Sequence, residues 1–398
     1  MKKGIALLTA LALLLSASGC GQAEAAAKES ENAAVNLTVT DLLGRTVAVP
    51  EDASSFACIG AGALRLYCYV ADEDRLAGVE SAEQTWGTAG RPYAMALDDL
   101  ENMTAIGPGG PGAQPDAELL LAASPDVIFT CYNTDASAVD ELQASTGIPV
   151  VALSYGSGSL FDEAVDESLL LIGSVTGCEE RASAVVSYFA AEKEALRERA
   201  SEAAHTPTVY LGGLSYQGAH GIDSTTGIYP LFDVLGAENA AAKAGLTGTA
   251  TIDREALLDW NPEVVVLDAG GLSIIAEDYA GNPAYYNALD AFQDGEVYLQ
   301  MPFNYYSTNL EIALADAWYL GSVLYPEQFA DVAPAAKFDE ITQFLLGIDA
   351  YESIAAQYYG GFQAVSLGNT EGERLKHCNL GTIPKKAHKT KPPKSGQN

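Results

Sequence analysis

The residues best equipped to hold a small molecule in this sequence are tyrosines. Tyr132, Tyr155, Tyr216, Tyr305 and Tyr306 each follow a short apolar run: DVIFTC, PVVALS, TVYLGGLS and EVYLQMPFN. A phenol ring offers broad contact area at low entropic cost, and its hydroxyl can reach the oxygens of a bulky chelate. Tyrosine is also common here, 20 of 398 residues, so some of these rings serve only packing. Cations are scarcer and weigh more. Arg91, beside Tyr93 in GRPYA, could make a bidentate contact to a carboxylate, catecholate or oxyanion. His220 sits in the glycine-flanked loop YQGAHGID. Both also read as plain surface residues. Ala61 and Gly62, just after FACIG, and Gly110, in the rim loop GPGGPG, complete the candidate ligand set. That glycine loop lacks the lysine and hydroxyl of a phosphate cradle.

Catalytic patterns do not appear. No serine has glycine at both −2 and +2, so a nucleophile elbow is missing, and GGLSYQG misses it by one position. With four histidines, two of them near the C-terminus, no HExxH or clustered carboxylate–histidine spacing occurs. A secreted α/β enzyme and a surface scaffold are the rival readings, and the first has no visible machinery.

Two carboxylates recur in matched settings. Glu118 opens ELLLAASPDVIF and Glu255 opens EALLDWNPEVVVL, each seven positions ahead of a proline that leads into an apolar run. The copies lie 137 residues apart (255 − 118). A carboxylate at a helix N-terminus gains roughly 0.3–1 kcal/mol from the macrodipole, which would account for both. Two exposed carboxylates in equivalent positions of two similar halves would equally suit a grip on a two-fold partner.

Composition limits the partners further. With 21 basic and 53 acidic residues the formal charge is −32, so nucleic acid or an anionic lipid surface would be repelled. Lys2 and Lys3 precede an apolar run from Ile5 to Leu15, shorter than the ~20 residues of a membrane span and suited to a secretory leader. Ser16-Ala17-Ser18-Gly19-Cys20 resembles a bacterial lipobox, with Ala17 where leucine is more usual. Residues 1–20 are therefore expected to be a lipoprotein leader with Cys20 as the lipidated residue, and 21–35 a flexible tether. The folded body would stay outside the cytoplasm, anchored to the membrane only through lipid. Cys58, Cys68, Cys131, Cys178 and Cys378 show neither CxxC nor Cys/His metal spacing. Buried thiols are expected, with a disulfide between Cys58 and Cys131 as the alternative. No metal or cofactor site is expected. From Arg374 onward the chain has seven Lys/Arg and no acid, so 369–398 reads as a basic tail outside the fold.

The scaffold that must position these groups alternates strands and helices. Leu37 to Pro50 (LTVTDLLGRTVAVP) reads as a hairpin turning at Gly44. Strand-like runs at 56–61, 76–80, 126–132 and 149–154 then alternate with helical patterns at 64–71, 116–123 and 136–146. A second series has strands at 208–213, 263–269 and 296–302, with helices near 228–236, 253–259 and 309–324. Continuously apolar strands separated by helices imply parallel sheets covered on both faces. Glu179 to Ala203 contains neither glycine nor proline and would form a helix of ~37 Å. The expected architecture is α/β: a lobe over 36–178, a connecting helix over 179–205 and a second lobe over 206–368. The ligand would lie beyond the carboxyl ends of the strands.

Several of these features together carry a family resemblance. The lipobox, the D-x-x-G-R-x-V-x-V-P hairpin from Asp41 to Pro50, and P-D-V-I at Pro125 are followed by I-G-x-x-x-G-x-x-E-R-A from Ile172 to Ala182 and P-E-V-V-V at Pro262. In this order, over about residues 36–368, the chain resembles the periplasmic binding proteins for ferric siderophores, haem and cobalamin. The resemblance implies two Rossmann-like lobes bridged by one helix, a ligand in the cleft between them, and delivery to an ABC permease and ATPase complex. It also implies that one glutamate per lobe, here Glu118 and Glu255, pairs with permease arginines. A monomer carrying an iron-siderophore-type chelate is the expected form; cobalamin, haem or an oxyanion such as molybdate are the alternative cargoes.

Overall fold

The computed structural model describes residues 36–132, 135–215 and 218–367. The leader, the tether, Cys20, Tyr216 and the basic tail lie outside the described residues. Strands β1 (Asn36–Thr40) and β2 (Thr46–Pro50) form an antiparallel hairpin. The DLLGR turn has a specific construction. Asp41 Oδ1 accepts from the amides of Leu43 (3.1 Å) and Arg45 (2.9 Å), and Gly44 takes the left-handed φ of 75° that the turn requires. Arg45 then donates to Asp41 (2.8 Å) and to the Val150 carbonyl (3.0 Å), fastening the hairpin to the first lobe.

That lobe is built on β3 (Phe56–Ile59), β4 (Val127–Thr130) and β5 (Val150–Ala152), all parallel and buried at every position. Burial on both faces explains their uninterrupted apolar sequence. The run at 76–80 does not form a full strand. It touches β3 through one isolated parallel bridge, Phe56 with Leu76, pairs Val79 with Ala105 outside the sheet, and continues directly into the helix Ser81–Trp86.

The second sheet contains β6 (Thr208–Gly212), β8 (Glu238–Asn239), β10 (Val264–Asp268), β11 (Val297–Gln300) and β12 (Gln363–Ala364), in spatial order β12-β11-β10-β6-β8. Only β12 runs antiparallel. A small antiparallel pair, β7 (Ser224–Thr226) with β9 (Thr249–Thr251), flanks it.

The doubled sequence pattern corresponds to a doubled local structure. The helices Ala117–Ala123 and Arg254–Trp260 are capped by Asp116 and Asp253, whose side chains accept the amides of Glu118 (3.1 Å) and Glu255 (3.0 Å). Each ends on a non-glycine residue in the left-handed region, Ser124 (φ 51°) and Asn261 (φ 39°), just before proline. The acid after each proline then ties down the start of the neighbouring strand. Asp126 accepts the amides of Ser54 and Ser55 (2.8 and 2.9 Å), and Glu263 accepts that of Thr208 (3.0 Å).

Glu179–Ser201 is one helix of 23 residues, about 34 Å long at 1.5 Å per residue. Its approach explains the glycine motif. A Cβ on Gly173 would meet Ala182 at 2.5 Å, so only glycine lets the preceding helix, Glu163–Thr176, cross this closely, and Gly177 (φ 70°) turns the chain between them. Arg181 braces the strut to both halves, donating to the carbonyls of Tyr69 (2.9 Å) and Phe344 (2.6 Å). Further along, Glu192 accepts from the Trp318 indole (2.5 Å) and Lys337 (3.0 Å).

Candidate functional site

The two halves meet at a patch of aromatic and charged side chains. From the second half comes the tight turn Asn304–Thr308, closed by an antiparallel bridge between its ends. Tyr306 (φ 49°) and Ser307 (φ 71°) are consecutive non-glycine residues in the left-handed region, at a cost of order 1–3 kcal/mol each that surrounding contacts must offset. The first half supplies those contacts. Arg65, fully buried on the helix Ala63–Val70, donates to the carbonyls of Tyr305 (2.9 Å), Tyr306 (3.3 Å) and Thr308 (2.9 Å). Thr308 Oγ1 also donates to the Gly158 carbonyl (3.0 Å).

At the tip of the turn, the Tyr306 hydroxyl donates to Glu80 Oε2 (2.8 Å) and accepts from the Gly110 amide (3.0 Å). Glu80 Oε1 takes the hydroxyl of Tyr132 (2.5 Å), and Oε2 also accepts the Gly60 amide (3.1 Å). Burial holds the Glu80 carboxyl above its usual range, partly offset by these hydrogen bonds. Trp86 stands edge-on to both Tyr305 and Tyr306, with ring centroids 5.8 and 4.9 Å away.

Of the residues read from the sequence as ligand contacts, Tyr132, Tyr305, Tyr306 and Gly110 come together here. Tyr155 lies behind them, its ring over Gly62, where a Cβ would meet it at 2.4 Å. Its hydroxyl donates to the Gly62 carbonyl (3.1 Å) and accepts from Arg65 (3.3 Å). Gly62 therefore meets Tyr155 through main chain and, at φ 89°, opens the helix, with Ala61 half-buried just before it. His220 is half-buried in the loop after β6, its carbonyl packed on Gly271.

Arg91 and Tyr93 are corrections. Both are fully buried beneath the patch: the Arg91 guanidinium pairs with the Glu83 carboxylate and carbonyl and lies 5.8 and 5.7 Å from the ring centroids of Trp86 and Tyr305. Tyr93 donates to the same carboxylate and lies under Arg65, 4.6 Å from its ring centroid. Leaving a buried guanidinium uncompensated is costly, and here Glu83 supplies the counter-charge that a ligand was expected to bring.

Three contributors to the patch are not evident from the sequence patterns: Arg65, Glu80 and Trp86; a buried carboxyl of the second half, Asp268, is not evident either. Asp268 ends β10 and accepts from Gly270 (2.8 Å) and Ser215 Oγ (3.1 Å). Burial pushes its carboxyl up to about 6. Glu80 ends the run at 76–80 and Asp268 ends β10, so both fall under the rule that ligands sit beyond the carboxyl ends of strands. The described cysteines are free thiols, so the Cys58–Cys131 disulfide does not form. Among the described residues no group of three His, Cys, Asp or Glu could hold a metal ion, and no helix is long and apolar enough to cross a membrane.

Two α/β halves with a braced helix between them, meeting at an aromatic patch fed by both, define a two-lobed solute receptor. A sequence profile of the periplasmic binding protein family matches residues 61–302, and the chain belongs to that family. A comparison with curated proteins finds no match. Among solved structures, a periplasmic solute binding protein from Veillonella parvula superimposes with a TM-score of 0.64 at 18% identity, over 81% of this chain and 97% of that one. A TroA-like periplasmic binding protein, FepB, from the same organism gives 0.60 at 22% identity, over 78% and 96%. The molybdate periplasmic binding protein MolA of Haemophilus influenzae, bound to molybdate, gives 0.58 at 21%, over 78% and 98%. Identities this low establish the fold. The family match establishes the class: an extracytoplasmic solute-binding protein of the ABC-transporter type, not an enzyme.

Proposed function

We propose that this protein captures an iron-siderophore-type metal chelate between its lobes and delivers it to an ABC permease. The observation that carries the reading is the meeting of Tyr132 and Tyr306, one from each half, on a single carboxylate. Rings from both sides of a boundary offer a bulky ligand contact area that neither lobe has alone. The braced helix favours modest lobe motion, so affinity comes chiefly from a preformed site. In this reading Cys20 carries the lipid anchor, the protein acts as a monomer, and Glu118 and Glu255 dock on the permease. Both glutamates are exposed, and because Asp116 and Asp253 do the capping, their carboxylates are not needed for it.

Absorbance and native mass spectrometry of protein purified from its own host test the cargo. A visible charge-transfer band with stoichiometric iron and a chelator mass is expected. A porphyrin or corrin spectrum, or a colourless protein carrying an oxyanion, would replace this cargo with haem, cobalamin or an oxyanion.

A further inference from the structure

The geometry points to a cargo of positive charge, received by the Glu80 carboxylate. This inference rests on the reading that the cleft takes a metal chelate, and it specifies which kind.

Glu80 is only 2% exposed, and its described hydrogen-bond donors, the hydroxyls of Tyr132 and Tyr306 and the amide of Gly60, are all neutral. No ion pair involves it among the described residues. In the other lobe Asp268, at the carboxyl end of β10, likewise has only neutral donors among the described residues, from Ser215 and Gly270. The two arginines nearest the patch are committed elsewhere. Arg91 is closed by Glu83, and Arg65 is spread over three carbonyls and the Tyr155 hydroxyl. Glu80 therefore offers a desolvated carboxylate with no ion-pair partner among the described residues. An anionic chelate would meet like charge at short range and a net −32 body at long range. A cationic one would supply that partner.

The occupant of Glu80 in the closed lobes is itself informative. Tyr306 comes from the opposite lobe, on a turn held in two left-handed conformations. When the lobes part to admit a ligand, Glu80 loses this donor while keeping Tyr132 and Gly60. An ammonium on the cargo would take the vacated position on the carboxylate; the nearby rings of Trp86 and Tyr305 already face Arg91, at 5.8 and 5.7 Å.

The test is a fluorescence titration of the full-length lipoprotein in detergent with three probes. They are a ferric tris-hydroxamate bearing a free ammonium group, its neutral acetylated analogue, and an anionic ferric tris-catecholate. The ammonium chelate is expected to bind roughly tenfold tighter than the neutral one, as a charge-assisted hydrogen bond would give, and the catecholate most weakly. Glu80→Gln keeps an acceptor for the tyrosines and should bring the ammonium-to-neutral ratio close to one. Tyr306→Phe removes the competing donor and should raise affinity for the ammonium chelate above the wild type. Tightest binding of the catecholate, a ratio unchanged in Glu80→Gln, or a Tyr306→Phe loss shared equally by all probes overturns the charge assignment while leaving a chelate receptor in place. If no probe binds, the chelate reading falls as well.

Discussion

Arg65 of the first lobe donates to the Thr308 carbonyl of the second at 2.9 Å, in a contact buried from solvent. The same guanidinium spans the carbonyls of Tyr305 and Tyr306, so one side chain pins the turn that carries the cleft tyrosines. Hydrogen bonds to a charged group contribute roughly 1.5–3 kcal/mol, and orphaned buried carbonyls add to the loss. Arg65→Met should therefore lower the unfolding free energy by about 3 kcal/mol in denaturant titrations. Arg65→Lys should recover less than half, because a single ammonium cannot reach the whole fan of acceptors. Wild-type stability in Arg65→Met would mean that the lobes are not held together here.

The two matched helix starts separate docking from capping. Glu118→Ala and Glu255→Ala should each change stability by less than about 0.5 kcal/mol and leave ligand affinity intact, while abolishing ligand-stimulated ATPase activity with the permease. Asp116→Ala and Asp253→Ala should do the reverse, costing about 1 kcal/mol as lost caps with transport retained. A fall in ligand affinity in the glutamate variants would remove the docking role.

Asp268 gives the stability a defined pH dependence. Its folded carboxyl titrates at about 6, above the unfolded value of ~3.9, so the native state holds the proton more tightly. The stabilising contribution is fully present below pH ~4 and is lost as pH rises through about 6, a change of about 3 kcal/mol. Asp268→Asn should flatten that part of the profile, so the two proteins' unfolding free energies, compared between pH 4 and 7, should diverge in slope. Parallel profiles would show that the group is solvated.

The thiols should be slow to react. Cys58 is buried, and desolvation raises its thiol well above the usual range; that of Cys131 rises to about 12. With Ellman's reagent at pH 8 the native chain should leave Cys58 and Cys131 unmodified until guanidinium is added. Rapid native labelling of Cys58 would contradict its place in β3.

Much of the scaffold was legible in the sequence because its signals are local. The helix 136–146 matches Ala136–Thr146, and the glycine-free stretch from Glu179 became the long strut, ending at Ser201 two residues early. The Glu…Pro repeat was visible as a pattern, though the cap is the aspartate two positions before each glutamate. The run at 76–80 misled because five apolar-rich residues suit a strand, whereas its ladder is limited to single bridges and Glu80 turns at once into a helix.

The chain alone determined the class of its elements, their order, the strut and the absence of catalytic patterns, since each depends on residues close in sequence. Tertiary structure decided where the charges went. Glu83 neutralises Arg91, and Glu80 receives the hydroxyl of Tyr306 from 226 positions away. Whether a charge in the interior meets a partner or faces a ligand depends on which distant segments pack against it, and periodicity carries no record of that.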